Sequence, residues 1–329
     1  MTKIRIISDL HYTRGINGPD HDKTYKGSGL WHYFGKKLQE PVDVTLIAGD
    51  ICEGVEKHEE FLESFFPNQN VLFIDGNHLI YFKNEDNGKP ILSKVKQELK
   101  EKFPKDHMFW HYLENDWMWI SNTDVAVIGS TFYTDYNYCD LTLEEFNNKL
   151  KAWNFWLDAY GFNANETPVE KLTKSVIRKE TLFEARSRLN DFKWGNRTKL
   201  EYLSPEYYLE LHKLAKKEVK KCHDEILSVN LNAKIILMTH HCLSPQCISE
   251  RYRKGLLNAS YTSNLENWVD KQLPGVRLVV SGHVHNRCDF TFGKRKVRYI
   301  INPCGYIPYN EPFNKPKFNP NLIIDTSEL

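Results

Sequence analysis

Aspartate, asparagine and histidine side chains follow directly after short apolar runs of this chain. The segments concerned are Ser8-Asp9-Leu10-His11, Gly49-Asp50, Asp75-Gly76-Asn77-His78, Thr239-His240-His241 and Ser281-Gly282-His283-Val284-His285. Side chains at positions i and i+2 of an extended segment point the same way, so Asp9 shares a face with His11. The same spacing relates His283 to His285. Imidazoles combined with carboxylates are typical ligands of transition-metal ions, so the pattern predicts metal chemistry.

Short runs rich in β-branched residues are the elements that must position these side chains. They are Ile4–Ile7, Val42–Ile47, Val71–Ile74, Val125–Ile128, Lys234–Met238, Arg277–Val280 and Val297–Ile301. Helical patterns at Phe61–Phe66 and Ile91–Lys102 lie between some of these predicted strands, and this alternation predicts a layered α/β fold. Ligands of open α/β sheets bind at the carboxyl ends of strands, so the five polar segments can meet at one place.

Residues 134–231 differ from their flanks because helix signals dominate them. Leu143–Tyr160 carries apolar side chains at three- and four-residue spacings, and Ser204-Pro205 predicts the start of a helix over Glu206–Ser228. We interpret this stretch as a helical insertion over or beside the α/β core. Between Lys171 and Lys199, nine Lys or Arg stand against three Asp or Glu. This excess fits either a solvated helix face or a basic wall that attracts a phosphorylated substrate.

Composition restricts the class of protein. The 44 Lys and Arg nearly balance the 43 Asp and Glu, which argues against a protein that mainly coats DNA or a membrane surface. No apolar run approaches the roughly 18 residues of a membrane span, and residues 1–11 lack the pattern of a signal peptide. The seven cysteines are scattered without a CxxC pair, which favours a reducing compartment. We therefore expect a cytoplasmic protein with no membrane association and no obligate protein partner.

The order of the motifs resembles that of the calcineurin-like metallophosphoesterases. Their signature of Asp-x-His, Gly-Asp, Gly-Asn-His, a later His and Gly-His-x-His stands here at Asp9-Leu10-His11, Gly49-Asp50, Gly76-Asn77-His78, His240 and Gly282-His283-Val284-His285. Further matches, to a bacterial and phage branch of that family, include Asn190-Asp191-Phe192 and Asn302-Pro303 with Gly305-Tyr306. The resemblance covers nearly the whole chain. It implies a single domain over residues 1–329, built as a four-layer α/β/β/α sandwich of two mixed β-sheets, in which the 134–231 insertion walls the site and selects the substrate.

The resemblance also implies a site that holds two divalent metal ions. The implied ligands are Asp9, His11 and His285 for the first ion, Asn77, His240 and His283 for the second, and Asp50 as a bridge between both. His78 is left free of metal and faces the leaving group, and His241 supports the site without binding metal. Mn is the first expectation for the metal, with Fe, Zn, Co or Ni as alternatives.

On this basis we expect a phosphodiesterase that hydrolyses a nucleotide or nucleic-acid ester by means of a hydroxide between the metals. Asp50 and His78 are the expected catalytic residues, and the expected substrate contacts are Asn77, His78, His241 and Arg287. One alternative is a phosphomonoesterase acting on phosphoproteins or nucleotides. An alternative of another class is a metal-binding interaction module without catalysis, which loss of ligands would indicate. The sequence has lost none of the implied ligands.

Two positions depart from the family's pattern. Leu79 stands where an acidic residue often follows Gly-Asn-His, so that Asp75 or another carboxylate would have to assist His78. Cys304 stands where the nearer branch often carries an arginine between Asn-Pro and Gly-Tyr. Any phosphate contact of that arginine would then fall to Arg287 or Arg298. Neither departure removes an implied metal ligand.

Overall fold

Two mixed β-sheets form the centre of the protein. The computed structural model describes residues 1–12, 37–38, 40–81, 92–138, 178, 181–182, 185–186, 188–189, 191–192, 203–306, 311 and 317–329. The first sheet consists of β1 (Lys3–Ile7), β2 (Val44–Ala48), β3 (Val71–Ile74), β4 (Trp110–Tyr112) and β11 (Ile323–Asp325), in the order β11-β1-β2-β3-β4. The second consists of β5 (Asp116–Trp119), β6 (Val125–Ser130), β7 (Lys234–Thr239), β8 (Val276–Ser281), β9 (Cys288–Phe292) and β10 (Val297–Ile301), in the order β5-β6-β7-β8-β10-β9.

Both sheets are parallel inside and antiparallel at one or both edges. In the first sheet β1 to β4 run parallel, with Ile7 opposite Ile47, and β11 pairs antiparallel with β1. In the second sheet β6, β7, β8 and β10 run parallel, and β5 and β9 close the edges in antiparallel fashion. Parallel strands are buried on both faces, which explains why the predicted strands are continuous apolar runs.

The space between the sheets is filled by side chains that alternate along the strands. Ile4, Ile6 and Leu46 of the first sheet pack with Val127 and Met238 of the second in one buried cluster. Their strand neighbours point the other way, because successive side chains of a strand alternate between its two faces. The two sheets therefore bury their inner faces against each other.

Helices cover the outer face of each sheet. On the first sheet, α1 (Val55–Phe65) and α2 (Leu92–Lys102) pack Phe61 and Leu99 onto Phe73. On the second sheet, α3 (Pro205–Val229) and α4 (Glu266–Gln272) pack onto β-strand residues such as Ile235. The architecture is the four-layer α/β/β/α sandwich of two mixed sheets that the resemblance implied.

The longest described helix, α3, has the predicted start. Ser204 accepts a hydrogen bond from the backbone N–H of Tyr207, and Pro205 occupies the first helical position, where its missing N–H costs nothing. The helix lies within the 134–231 stretch and packs as an outer layer of the second sheet. The helix predicted over Leu143–Tyr160 lies outside the described residues, as does most of the basic stretch Lys171–Lys199, so the insertion stays a prediction.

None of the helices in the described residues combines the length and the apolarity that crossing a membrane requires.

Candidate metal centre

The residues that the sequence marked as ligands lie together at one edge of the sandwich. Asp9 and His11 follow β1, Asp50 follows β2, Asn77 and His78 follow β3, His240 and His241 follow β7, and His283 and His285 follow β8. β1, β2 and β3 are neighbours in the first sheet, and β7 and β8 are neighbours in the second. Because parallel strands end at the same edge of a sheet, the structure brings all five polar segments to one place.

A first group of three residues could surround one ion. Asp9, His11 and His285 each place a ligand atom within 4.8 Å of the others. The Nε2 atoms of His11 and His285 are 3.0 Å apart, and Nε2 of His285 lies 3.6 Å from Oδ1 of Asp9. Two imidazoles and a carboxylate at this separation suit a transition-metal ion.

A second group lies beside the first. Asp50, His240 and His283 also place ligand atoms within 4.8 Å of one another. Nε2 of His240 is 3.4 Å from Oδ2 of Asp50 and 3.1 Å from Oδ1 of Asn77. Asn77 therefore turns its amide oxygen toward the same point as the histidine and the carboxylate.

Asp50 connects the two groups. Its Oδ2 lies 3.9 Å from Nε2 of His11 and 3.9 Å from Nε2 of His78, in addition to the contact with His240. Its Oδ1 accepts a hydrogen bond of 3.0 Å from the backbone N–H of His78. One carboxylate oxygen thus faces ligand atoms of both groups, the arrangement that a bridge between two ions about 3.5–4 Å apart requires.

The backbone at the site adopts an unusual conformation. Asp9, His11, Asp50 and His283 have φ angles of 53°, 47°, 49° and 69°. Residues other than glycine rarely occupy this left-handed region, at a cost of about 1–3 kcal/mol each, and such strain concentrates at functional sites. The rest of the fold therefore holds these four side chains in place against a local preference.

Glycines make the close approach of these segments possible. A Cβ atom on Gly76 would lie 2.0 Å from Oδ1 of Asp50, and one on Gly49 would lie 2.4 Å from Nδ1 of His240. Any larger residue at either position would push a site residue aside. The Gly-Asn-His motif thus requires glycine for packing, and the Gly-Asp motif requires it for packing and for the φ of 85° at Gly49.

The chemistry of the donors fits a pair of divalent ions. Oδ2 of Asp9 is buried and has no hydrogen-bond partner among the described residues, so a cation beside it would satisfy an otherwise uncompensated carboxylate. Burial holds the pKa of His11 and of His283 well below its usual value, which leaves these imidazoles neutral, as ligation requires. Burial would raise the pKa of Asp50, but His240 and His78 outweigh it and hold that pKa well below its usual value.

Two carboxylates that the sequence analysis did not select hold candidate ligands in orientation. Oε2 of Glu311 lies 2.6 Å from Nδ1 of His285, and Oδ1 of Asp191 accepts a hydrogen bond of 3.1 Å from Nδ2 of Asn77. Such outer partners fix the tautomer or the turn of a ligand. The Asn190-Asp191-Phe192 motif was a signal for Asp191, whereas no spacing or motif marked Glu311.

His78 lies beside a hydroxyl group, and Leu79 follows it in place of an acidic residue. Its Nε2 is 3.2 Å from the hydroxyl oxygen of Tyr306, and burial lowers the pKa of His78 although Asp50 partly opposes this. Leu79 is buried in the apolar core. Asp75 accepts hydrogen bonds from Tyr112 and Thr131 instead of reaching His78, so the suggested help from Asp75 does not occur.

A cavity of about 180 Å³ opens beside the two groups, and Asp50, Asn77, His78, His241, His283 and His285 contribute to its lining. Nδ1 of His241 lies 3.4 Å from the carbonyl oxygen of Thr131, which ties its ring to the protein backbone.

Of the two arginines considered for phosphate contact, Arg287 donates to the carbonyl oxygen of Lys317 and Arg298 pairs with Asp289. Neither contributes to the described lining of the cavity.

The sandwich and its histidine-rich edge define a protein with the ligand groups of a metal-dependent hydrolase. Comparison of the sequence with family models agrees, since the model described as calcineurin-like phosphoesterase matches residues 2–287. The chain belongs to that family. No curated protein matches it at a significant level.

Two of the solved structures that the chain matches are a hydrolase and a phosphatase. The phosphopantetheinyl hydrolase of Mycobacterium tuberculosis is 16% identical, with a TM-score of 0.60 over 95% of this chain and 92% of that one. A dimetal phosphatase from Danio rerio is 14% identical, with a TM-score of 0.43 over 91% of this chain and 86% of that one. At such identities the first of these supports the fold alone.

Proposed function

We propose that the protein is a dinuclear metal-dependent phosphodiesterase acting on a nucleotide or nucleic-acid type of ester. The observation that carries the proposal is the position of Oδ2 of Asp50, which faces histidines of both ligand groups. Two divalent ions held there would neutralise the charge of a phosphate and activate water near neutral pH. The six described cysteines are free thiols, which supports a cytoplasmic location.

The ligand assignment is part of the proposal. Asp9, His11 and His285 would hold one ion, Asn77, His240 and His283 the other, and Asp50 both. Two of the three groups of converging ligand atoms in the described residues support this division, and the third joins His11 and Asp50 to His78. We propose Mn²⁺ as the native ion, since carboxylate, amide and imidazole donors together suit it. Metal analysis after loading with Mn²⁺ should find two ions per chain.

Preference for a diester over a monoester is tested with a pair of chromogenic esters. The Mn²⁺-loaded protein should release p-nitrophenol faster from bis-p-nitrophenyl phosphate than from p-nitrophenyl phosphate, and EDTA should stop both reactions. Faster release from the monoester would favour the phosphomonoesterase alternative. A protein that binds two Mn²⁺ ions but cleaves neither ester would instead be the non-catalytic binding module.

His78→Asn should slow esters with poor leaving groups most. His78 lines the cavity and lies 3.9 Å from Asp50, so we propose that it assists the departing oxygen, a role typically worth about 10²–10⁴-fold. The kcat/KM for a dinucleotide, which expels an alkoxide, should fall by about that factor, and the loss on bis-p-nitrophenyl phosphate should be much smaller. Equal losses on both esters would remove this role from His78.

Glu311→Gln should weaken metal binding about 10–100-fold, because the partner that orients His285 and strengthens it as a ligand loses its charge. Titration calorimetry with Mn²⁺ on the metal-free protein measures the change in Kd. The matched control is Glu59→Gln, since Glu59 pairs with Lys102 at the surface. Unchanged Mn²⁺ affinity in the Glu311 variant would show that this carboxylate has no part in binding.

A further inference from the structure

The cavity beside the metal centre has an aromatic and hydroxylic far wall. Beyond the candidate ligands, His78 and His241, the described lining consists of Tyr81, Tyr136, Leu189, Asp191, Tyr208, Ser260, Tyr261 and Tyr306. Its volume of about 180 Å³ is below the roughly 300–1,000 Å³ of pockets that enclose a whole drug-sized ligand. A phosphate at the metal centre would therefore place only one of its ester groups against this wall.

Two hydroxyl groups of this wall are buried without a hydrogen-bond partner among the described residues. Tyr208 is 2% exposed and Ser260 is 3% exposed, and both line the cavity. Neither the Tyr208 hydroxyl nor the Ser260 hydroxyl has a hydrogen-bond partner within the described parts of the chain. A buried hydroxyl without a partner costs about 1–3 kcal/mol, so what enters the cavity is expected to bind these groups.

The charge of the wall restricts what can enter. Asp191 is 6% exposed and lies on the lining, and it already accepts hydrogen bonds from Asn77 and Tyr81. Among the lining residues in the described ranges there is no lysine or arginine. A further anionic group placed here would lose its hydration beside Asp191 without gaining a cationic partner among the described lining residues.

We propose that this cavity binds an uncharged ester group that donates and accepts hydrogen bonds, and that it selects against an ester group with a second phosphate. The Tyr208 and Ser260 hydroxyls would contact the polar atoms of that group, and the tyrosine rings would cover its apolar parts. The inference rests on the proposed phosphodiesterase function and names its substrate class.

Two esters that differ in one group test the selection. Thymidine 5′-(p-nitrophenyl phosphate) carries a neutral, hydroxyl-bearing group, and its 3′-phosphate derivative adds a second phosphate to the same group. With the Mn²⁺-loaded wild-type protein we expect kcat/KM for the first ester to exceed that for the second about tenfold, or roughly 1.4 kcal/mol. Equal rates, with bis-p-nitrophenyl phosphate still cleaved, would overturn the cavity proposal alone. Failure to cleave any of the three would overturn the phosphodiesterase function as well.

Variants of the wall test the hydroxyl contacts. Tyr208→Phe and Ser260→Ala should each lower the ratio of kcat/KM for the thymidine ester to that for bis-p-nitrophenyl phosphate about three- to tenfold, the value of one hydrogen bond. The matched control is Tyr299→Phe, which also removes a buried, unpartnered hydroxyl but lies in the core of the second sheet. Its ratio should stay at the wild-type value. Unchanged ratios in both wall variants would contradict the proposal, and the comparison of the two thymidine esters stands even if a wall variant fails to fold.

Discussion

Asp50→Asn is expected to lower kcat/KM for bis-p-nitrophenyl phosphate about a thousandfold and to reduce the Mn²⁺ content below two ions per chain. The side chain keeps its shape, and its amide oxygen can still accept the hydrogen bond from the backbone N–H of His78. What disappears is the negative charge that faces His11 and His240. The loss should therefore appear in metal content and in rate rather than in folding.

The control for this variant is Asp224→Asn. Asp224 lies on the exposed side of α3 and pairs with Lys220, and it belongs to neither group of candidate ligands. Its metal content and rate should match those of the wild type. An Asp50 variant that kept two ions and full activity would remove the shared carboxylate from the mechanism and leave the proposed function without its main support.

Lys96→Met is expected to lower the free energy of unfolding by about 3–5 kcal/mol, the cost of breaking a buried ion pair by removing one partner. The Lys96 ammonium lies 2.6 Å from Oε1 of Glu114, 3.3 Å from Oδ2 of Asp75 and 2.9 Å from the hydroxyl of Thr131. Both carboxylates are buried. The variant would therefore leave two buried acids without their common counter-charge.

The same helix supplies the control for Lys96. Lys102, also on α2, pairs with Glu59 at a position where both side chains are partly exposed, so Lys102→Met should cost less than about 1 kcal/mol. Urea unfolding of the two variants measures the difference. Similar losses in both would mean that burial adds nothing to the Lys96 network, and adding Glu114→Gln to Lys96→Met should recover part of the loss.

The pH dependence of this network has a definite sign. Burial would lower the pKa of Lys96, but Asp75 and Glu114 outweigh it and raise that pKa above its usual value of 10.5. A raised pKa means that the stabilisation is fully present below 10.5 and is lost as the pH rises through the folded-state value. The difference between wild type and Lys96→Met should therefore persist through neutral pH and shrink in strong alkali.

The interior of both sheets was predictable from the sequence, and the edges were not. All seven predicted strands are present, and β4, β5, β9 and β11 are the described strands that the sequence analysis did not identify. These four lie at the edges of the two sheets. An edge strand has one hydrogen-bonded neighbour and more exposed side chains, so it needs no continuous apolar run. β9, with its alternation of half-buried and exposed residues, illustrates this.

Helix predictions succeeded where a local signal existed. The Ser204-Pro205 start located α3 to within one residue at either end, and Ile91–Lys102 corresponds to α2. Phe61–Phe66 identified only the second half of α1, because its first turns are polar and carry no apolar repeat. The successful predictions rest on local signals, namely a cap residue followed by proline at a helix start and apolar side chains at helical spacing.

The convergence of the candidate ligands could be predicted because each follows a strand that the sequence reveals. Their supporting groups could not, because Glu311 and the Lys96 network act through contacts that no local spacing records. Asp75 shows the difficulty, since the sequence placed it beside His78 and suggested a partnership there. In the structure its carboxylate contacts Thr131 and Lys96 instead.

The packing of the two sheets brings the earliest ligands, after β1, next to some of the latest ones to be translated, after β8. Asp9 and His11 need His285 beside them, about 275 positions further along the chain. At roughly 5–20 residues per second, a ribosome takes roughly 14–55 s to make that stretch. The site can therefore bind ions with all of its candidate ligands only near the end of synthesis. A nascent chain that stalls before β8 would contain the ligands of the first sheet but would lack His283 and His285.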